Sequence, residues 1–182
     1  MPQPNTTGGN LMSYPSTVDT GLVAPITLWN DASIATAGSV LTAGAIYFVG
    51  IELLAPITVA QMRTSFGATS PTGNVDMGIY DATGTNGKPN NRLGSTGAIL
   101  STTGLFTQNL TANVSLSPGQ YWLALVDNVA DTPAAKTVLT AGLAQAWRST
   151  GTSNTSLPST APALQTTSLL VDVEGLISGS FS

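Results

Sequence analysis

The sequence predicts an all-β fold, an antiparallel β-sandwich of jelly-roll-like type. Short apolar segments recur along the chain, and turn-forming Gly, Pro, Asn and Ser residues interrupt them about every 8–12 residues. Helical periodicity is weak, and no internal repeat indicates a solenoid. The 182 residues are enough for one domain with a hydrophobic core, although the chain contains no cysteine.

The chain divides into an N-terminal arm and a sandwich domain. Residues 1–20 are rich in Pro, Gly, Asn and Thr, which predicts an extended arm, and residues 21–182 form the predicted sandwich. A polar arm needs a contact to order it, so we expect it to bind a partner chain. The start has neither the basic nor the apolar segment of a signal peptide, and we expect folding in a cytoplasm.

Apolar segments in the first half of the chain predict four strands. The run 45–54 is dense in β-branched and aromatic residues, which is typical of a strand buried on both faces. The run 74–80 alternates, with Val75, Met77 and Ile79 on one face. The predicted strands of this half are 21–29, 45–54, 57–66 and 74–80.

The second half begins with a loop at 81–91, where turn-forming residues are densest. The segment 137–147 has roughly helical spacing of apolar residues, but its Thr and Gly residues favour a strand or bulge. Asp172 and Glu174 are predicted to form a polar edge on the last strand. The predicted strands of this half are 93–100, 105–116, 120–126 and 168–177.

The composition argues against most enzymes. Only 8% of the residues are charged, against about 25% in an ordinary domain. The absence of histidine removes the usual general base and the commonest metal ligand. The net charge is −4 and the five basic residues are scattered, so neither nucleic acid nor an anionic membrane is an expected partner. We expect no catalytic residues and no cofactor.

Four aspartates lie beside predicted turns and strand ends: Asp76, Asp81, Asp127 and Asp131. Paired carboxylates can hydrolyse glycosides, but aspartates among turn residues are more often Asx turns or strand caps, which is the prediction here. The loop after Asp81 fails as a calcium loop, because Thr83 and Thr85 stand where acids are required. No metal site is predicted, although a calcium ion held by Asp81 and backbone carbonyls stays an alternative.

Aromatic residues with amide-bearing neighbours are candidate sugar-binding groups, because aromatic faces stack on sugars and amides bond to their hydroxyls. Trp147 precedes polar sequence, and it could equally anchor a subunit interface. Trp29 and Trp122 lie in apolar strands and are predicted core residues. The candidate glycan or interface residues are Trp147, Arg148, Tyr80, Asn90, Asn91 and Arg92.

Two segments resemble a known pattern: 74–81 (NVDMGIYD) and 116–124 (LSPGQYWLA), the second with a turn at Pro118–Gly119 before a strand. They resemble modules of bacteriophage virion proteins and of carbohydrate-associated domains in secreted bacterial proteins. The resemblance implies a non-enzymatic virion protein: a capsid decoration (cement) subunit, or a head-fibre or tail-appendage subunit. Its implied partners are copies of itself, with a trimer expected, and virion proteins such as the major capsid protein. The alternative is a glycan- or receptor-binding module, with a host-surface glycan as partner.

Overall fold

The structure is a computed structural model, and it describes residues 25–26, 41–66, 73–130, 135–137, 146–167, 169–171 and 173–177. Every strand pairing in these segments is antiparallel. The strands are β1 (Pro25–Ile26), β2 (Ile46–Leu53), β3 (Ile57–Phe66), β4 (Asn74–Asp81), β5 (Arg92–Ser95), β6 (Ile99–Leu100), β7 (Gly104–Leu116), β8 (Gly119–Asp127), β9 (Ala135–Thr137), β10 (Ala146–Ser149), β11 (Leu164–Thr166), β12 (Leu169–Val171) and β13 (Val173–Ile177).

Two sheets pack together, which confirms the all-β, sandwich-like prediction. The large sheet has the order β11-β10-β2-β8-β4-β5, and β6 also pairs with β4. The small sheet has the order β1-β13-β3-β7, and β12 pairs with β9 separately. The strands at the centre of the large sheet are β2, β8 and β4, and these carry the most apolar sequences of the chain.

The main core lies between the two sheets. Alternate residues of β4, such as Val75 and Met77, face it as the sequence predicts, together with Leu123 of β8. The small sheet contributes Met62 of β3 and Phe106 of β7. Burial of these side chains is the main force that holds the two sheets together.

A second apolar cluster covers the outer face of the large sheet. Phe48, Tyr80 and Trp122 form its aromatic part, and the side chain of Leu157 packs on them. Leu157 belongs to residues 150–163, a segment between β10 and β11 that we call the strap. The strap covers this face, so the central strands are buried on both faces, as predicted for the run 45–54. The prediction that Trp122 is a core residue is also confirmed.

Two long predicted strands are each divided in the structure. The run 93–100 becomes β5 and β6, which both pair with β4 and are separated by an irregular segment that contains Gly97 (φ 74°). The run 168–177 becomes β12 and β13, which belong to different sheets. Glu174 does not lie on an open edge, because β13 runs between β1 and β3, and its carboxylate forms an ion pair with Arg63.

Several predictions fall outside the described residues: the arm 1–20, Trp29, Asp131, Asp172, and most of the strand 21–29. Of the ambiguous segment 137–147, only the two ends are described, and both belong to strands, β9 and β10.

Candidate functional site

The loop 81–91 is organised around the carboxylate of Asp81. Its Oδ1 accepts hydrogen bonds from the N–H and Oγ1 of Thr83 (3.3 and 2.8 Å) and from the N–H of Asn91 (2.9 Å). Its Oδ2 accepts one from Nδ2 of Asn91 (2.9 Å). Partial burial raises the pKa of Asp81, but these four hydrogen bonds outweigh it and hold the pKa below the usual value. The contact to Thr83 confirms the predicted Asx turn.

Asp76 of β4 and Asp127 of β8 play different parts. Asp76 does not cap a strand end as predicted: it is fully buried within the outer cluster's face, where Oδ1 accepts a hydrogen bond from Oγ1 of Thr96 (3.2 Å). Asp127 at the end of β8 does form the predicted turn, with Oδ1 accepting from the N–H of Val129 (3.1 Å). Among the described residues, no group of three or more acidic side chains is placed to hold a metal ion.

Asn90, Asn91 and Arg92 connect the loop to the strap. The carbonyl of Asn90 accepts from the N–H of Ala161 (2.6 Å), and the N–H of Arg92 donates to the carbonyl of Ser159 (2.9 Å). The Arg92 guanidinium also donates to the carbonyl of Leu157. Asn91, between them, forms a β-bridge with Thr160, so all three predicted site residues fasten the strap to the sheet.

Tyr80 is buried beneath the strap and its ring is closed to a ligand in this structure. Its hydroxyl donates a 2.6 Å hydrogen bond to the carbonyl of Pro158, and its ring meets Phe48 edge-on at 5.2 Å. Burial raises the pKa of this phenol well above its usual value. Tyr80 thus also holds the strap.

Trp147 and Arg148 point to opposite faces of β10. Trp147 lies half-buried on the outer face, with Nζ of Lys88 4.2 Å from the centre of its ring. Arg148 shares a face with Ala146, which belongs to the main core, and its Nη1 donates to Oγ1 of Thr42 (3.1 Å). The side-chain amide of Gln165, on the next strand, also lies against the Arg148 guanidinium.

The outer face therefore gathers Trp147, Lys88 and the polar loop, while Arg148 lies elsewhere. Sequence reasoning missed Lys88, and no pattern could have found it, because 59 residues separate it from the ring that it covers. No protein-family model matches the chain, and no curated protein matches it either. No helix within the described segments is long and apolar enough to cross a membrane.

A second surface lies at the edge of the small sheet, on β7. Within the described residues β7 pairs with β3 alone and ends the sheet. Leu105 on this strand is 65% exposed. No charged residue occurs between positions 93 and 126, which include all of β7. The strand itself is therefore uncharged and partly apolar, and the nearest charges on the adjacent strands, Arg63 and Glu174, are paired with each other.

A bulge divides β7 into two parts. Val59 of β3 pairs with Val114, but Gln61 pairs with Asn109, so Ala60 alone faces four residues of β7. Beyond the bulge, Val114 reaches the large sheet, where a Cβ on Gly94 would lie 2.5 Å from its Cγ2. Before the bulge, residues 104–109 continue a regular ladder with β3, and because no other described strand pairs with them we call this part the free edge.

Proposed function

We propose that this protein is a non-enzymatic structural subunit of a bacteriophage virion, either a capsid decoration (cement) subunit or a head-fibre or tail-appendage subunit. The observation that carries the proposal is the uncharged, partly apolar strand β7, which ends the small sheet among the described residues and is suited to subunit contacts. The two segments that resemble virion modules support it, because they lie on neighbouring strands. Tyr80 of β4 is paired with Trp122 of β8.

In this proposal the sandwich is a rigid, jelly-roll-like body whose edges and arm make the contacts. The large sheet is buried on both faces, which fixes its shape. Residues 1–20 act as the extended arm and bind a neighbouring subunit or the major capsid protein. Repetition of weak contacts in a homo-oligomer, with a trimer expected from the resemblance, provides avidity on the particle.

The location on a virion is tested by mass spectrometry of phage particles purified on a density gradient from the source of this sequence. We expect peptides of this chain to follow the major capsid protein through the gradient at a constant ratio. Absence of the peptides from intact particles would overturn the proposal.

The arm is tested by deletion of residues 2–20. The truncated protein should keep the circular dichroism spectrum of the sandwich, since the described core contains no residue of the arm. Its retention on particles during sedimentation should fall relative to the full chain. Equal retention of both proteins would show that the arm makes no assembly contact.

A glycan-binding module is the second candidate, favoured by the half-exposed Trp147 beside Lys88 and a loop rich in amides and hydroxyls. If it is correct, Trp147→Ala abolishes binding on a glycan array. Arg148→Ala is the matched control, because its side chain lies on the opposite face and should leave binding intact. A wild-type protein that binds no glycan on the array would eliminate this candidate.

A further inference from the structure

We infer that the free edge of β7, Gly104–Asn109, pairs with the free edge of a second copy of this chain. The inference deepens the proposed assembly function, and rests on it, by naming the surface and its partner. On this edge Leu105, Thr107 and Asn109 are exposed, while Phe106 packs in the main core. Alternate residues of an edge strand turn their N–H and C=O groups away from the sheet, and a second strand can bind them.

The lack of protection on this edge is the first argument. Edge strands usually carry charged side chains or proline, which oppose pairing with another strand. The whole of β7 contains neither, and the nearest charged residues in sequence are Arg92 and Asp127. An edge of this kind is a template for another strand, and Leu105 beside it offers apolar surface to bury.

The neutrality of the edge also identifies the occupant. The charged side chains nearest the edge are Arg63, opposite Thr107 on β3, and Glu174 on β13, and they form an ion pair with each other. A charged segment of another protein would therefore find no unpaired counter-charge here and would lose hydration, whereas a second copy brings an equally uncharged strand. The arm of a neighbouring subunit is the competing occupant, because its residues 5–14 contain neither proline nor charge. We assign the edge to the second copy because that copy brings an uncharged strand that is already part of a sheet. The cross-linking test separates the two, since binding of the arm would not bring two copies of Thr107 together.

The side-chain pattern sets the register of the pair. Two antiparallel copies related by a two-fold axis through Thr107 place Leu105 opposite Asn109 of the second copy. All three side chains then stay on the exposed face of the joined sheet, and Phe106 stays on the core face. Such a contact joins two monomers into a dimer, or two larger assemblies into a pair.

Single-cysteine variants test this register directly, since the natural chain has no cysteine. Residues facing each other across a two-fold axis come close enough for a disulfide, so Thr107→Cys should form a covalent dimer under mild oxidation. Thr166→Cys, on the exposed edge strand β11 of the large sheet, is the matched control and should stay largely monomeric on a non-reducing gel. Equal cross-linking of both variants would overturn the inference.

Thr107→Lys provides an independent test, because it places two like charges against each other at the axis. We expect the dissociation constant, measured by sedimentation equilibrium, to rise about tenfold or more. Thr166→Lys should leave it unchanged, and both variants should keep the wild-type melting temperature within a few degrees. A wild type that stays monomeric at high concentration, or a Thr107→Lys variant that associates normally, would overturn the inference.

These outcomes are separable from those of the proposed function. If the chain is present in purified particles and the edge variants do not alter association, the virion role stands and the edge pairing is wrong. If the edge variants abolish association but particles lack the chain, the edge pairing stands and the virion role is wrong.

Discussion

Oδ2 of Asp76 accepts a 2.8 Å hydrogen bond from the backbone N–H of Leu157, which ties the strap to the centre of the large sheet. Oδ1 accepts from Oγ1 of Thr96, whose oxygen in turn accepts from the N–H of Met77 (3.0 Å). Burial raises the pKa of Asp76, although these hydrogen bonds and the charge of Arg92 oppose the rise. When Asp76 is protonated, it can donate to Thr96 and still accept from Leu157, so a neutral side chain fits this site.

The raised pKa of Asp76 predicts a pH-dependent contribution to stability. A carboxyl with a raised pKa in the folded state stabilises the fold below its unfolded value of about 3.9, and the benefit disappears as pH rises through the folded value. Asp76→Asn, which is neutral at every pH and can make the same hydrogen bonds, lacks this dependence. We expect urea unfolding to show the variant gaining stability relative to wild type between pH 4 and pH 7.

Asp76→Ala is the control, because it removes the acceptor and leaves the N–H of Leu157 buried without it. Loss of a buried hydrogen-bond partner costs about 1–3 kcal/mol of unfolding free energy. This cost should lower the urea midpoint at pH 4, where the wild-type Asp76 side chain stabilises the fold most. If the difference in unfolding free energy between wild type and Asp76→Asn does not change with pH, the raised pKa of Asp76 is wrong.

Asp81 predicts the opposite dependence on pH. Its pKa is lowered, because the hydrogen bonds from Asn91 and Thr83 outweigh its partial burial, so its stabilisation is present above pH 4 and is lost as pH falls through the folded value. Asp81→Asn directs an N–H₂ group at these donors and should loosen the loop. NMR hydrogen exchange should show faster exchange of the Asn91 amide, while the Leu123 amide in β8 exchanges as before. Unchanged protection of Asn91 would contradict the role of Asp81.

Gly78 of β4 should tolerate no side chain. A Cβ there would lie 2.5 Å from the carbonyl oxygen of Gly94 and 2.8 Å from Cδ1 of Leu157, so the strap or β5 must move. We expect Gly78→Ala to lower the free energy of unfolding by about 1–3 kcal/mol in urea melts. Gly151→Ala is the matched control: no atom lies within 4 Å of its Cβ position, and a change within about 0.5 kcal/mol is expected. Equal effects of both substitutions would contradict the close packing.

Strand positions could be predicted from sequence because local patterns determine them. The run 57–66 is β3 and the turn at Pro118–Gly119 leads into β8, as expected from alternation and turn residues. The division of 93–100 was missed, because a single Gly97 in a β-rich segment does not reveal its positive φ. The switch between β12 and β13 was missed for a related reason, since both parts have the same alternating pattern although they pair with different strands.

The candidate site was harder to predict because it depends on contacts between distant segments. Tyr80 and Asp76 read as surface residues of an alternating strand, but the strap, about 80 residues later, buries both. The polar sequence of 150–163 gave no indication that its backbone would satisfy these groups. Trp147 and Arg148 are adjacent in sequence, and they serve different faces because β10 is a strand, along which successive side chains alternate.

The contact between Lys88 and Trp147 should have a measurable coupling energy. An ammonium 4.2 Å from the centre of a tryptophan ring gains about 0.5–1 kcal/mol when both are partly exposed. A double-mutant cycle of Lys88→Ala and Trp147→Ala, measured by urea unfolding, should give a coupling energy of this size. Lys88→Ala combined with Arg148→Ala is the control and should be additive, because Lys88 covers the outer face at Trp147 and the Arg148 side chain lies on the opposite face of β10. Additivity in both cycles would show that the ammonium does not bind the ring, and that Trp147 offers an open face to a ligand or a subunit.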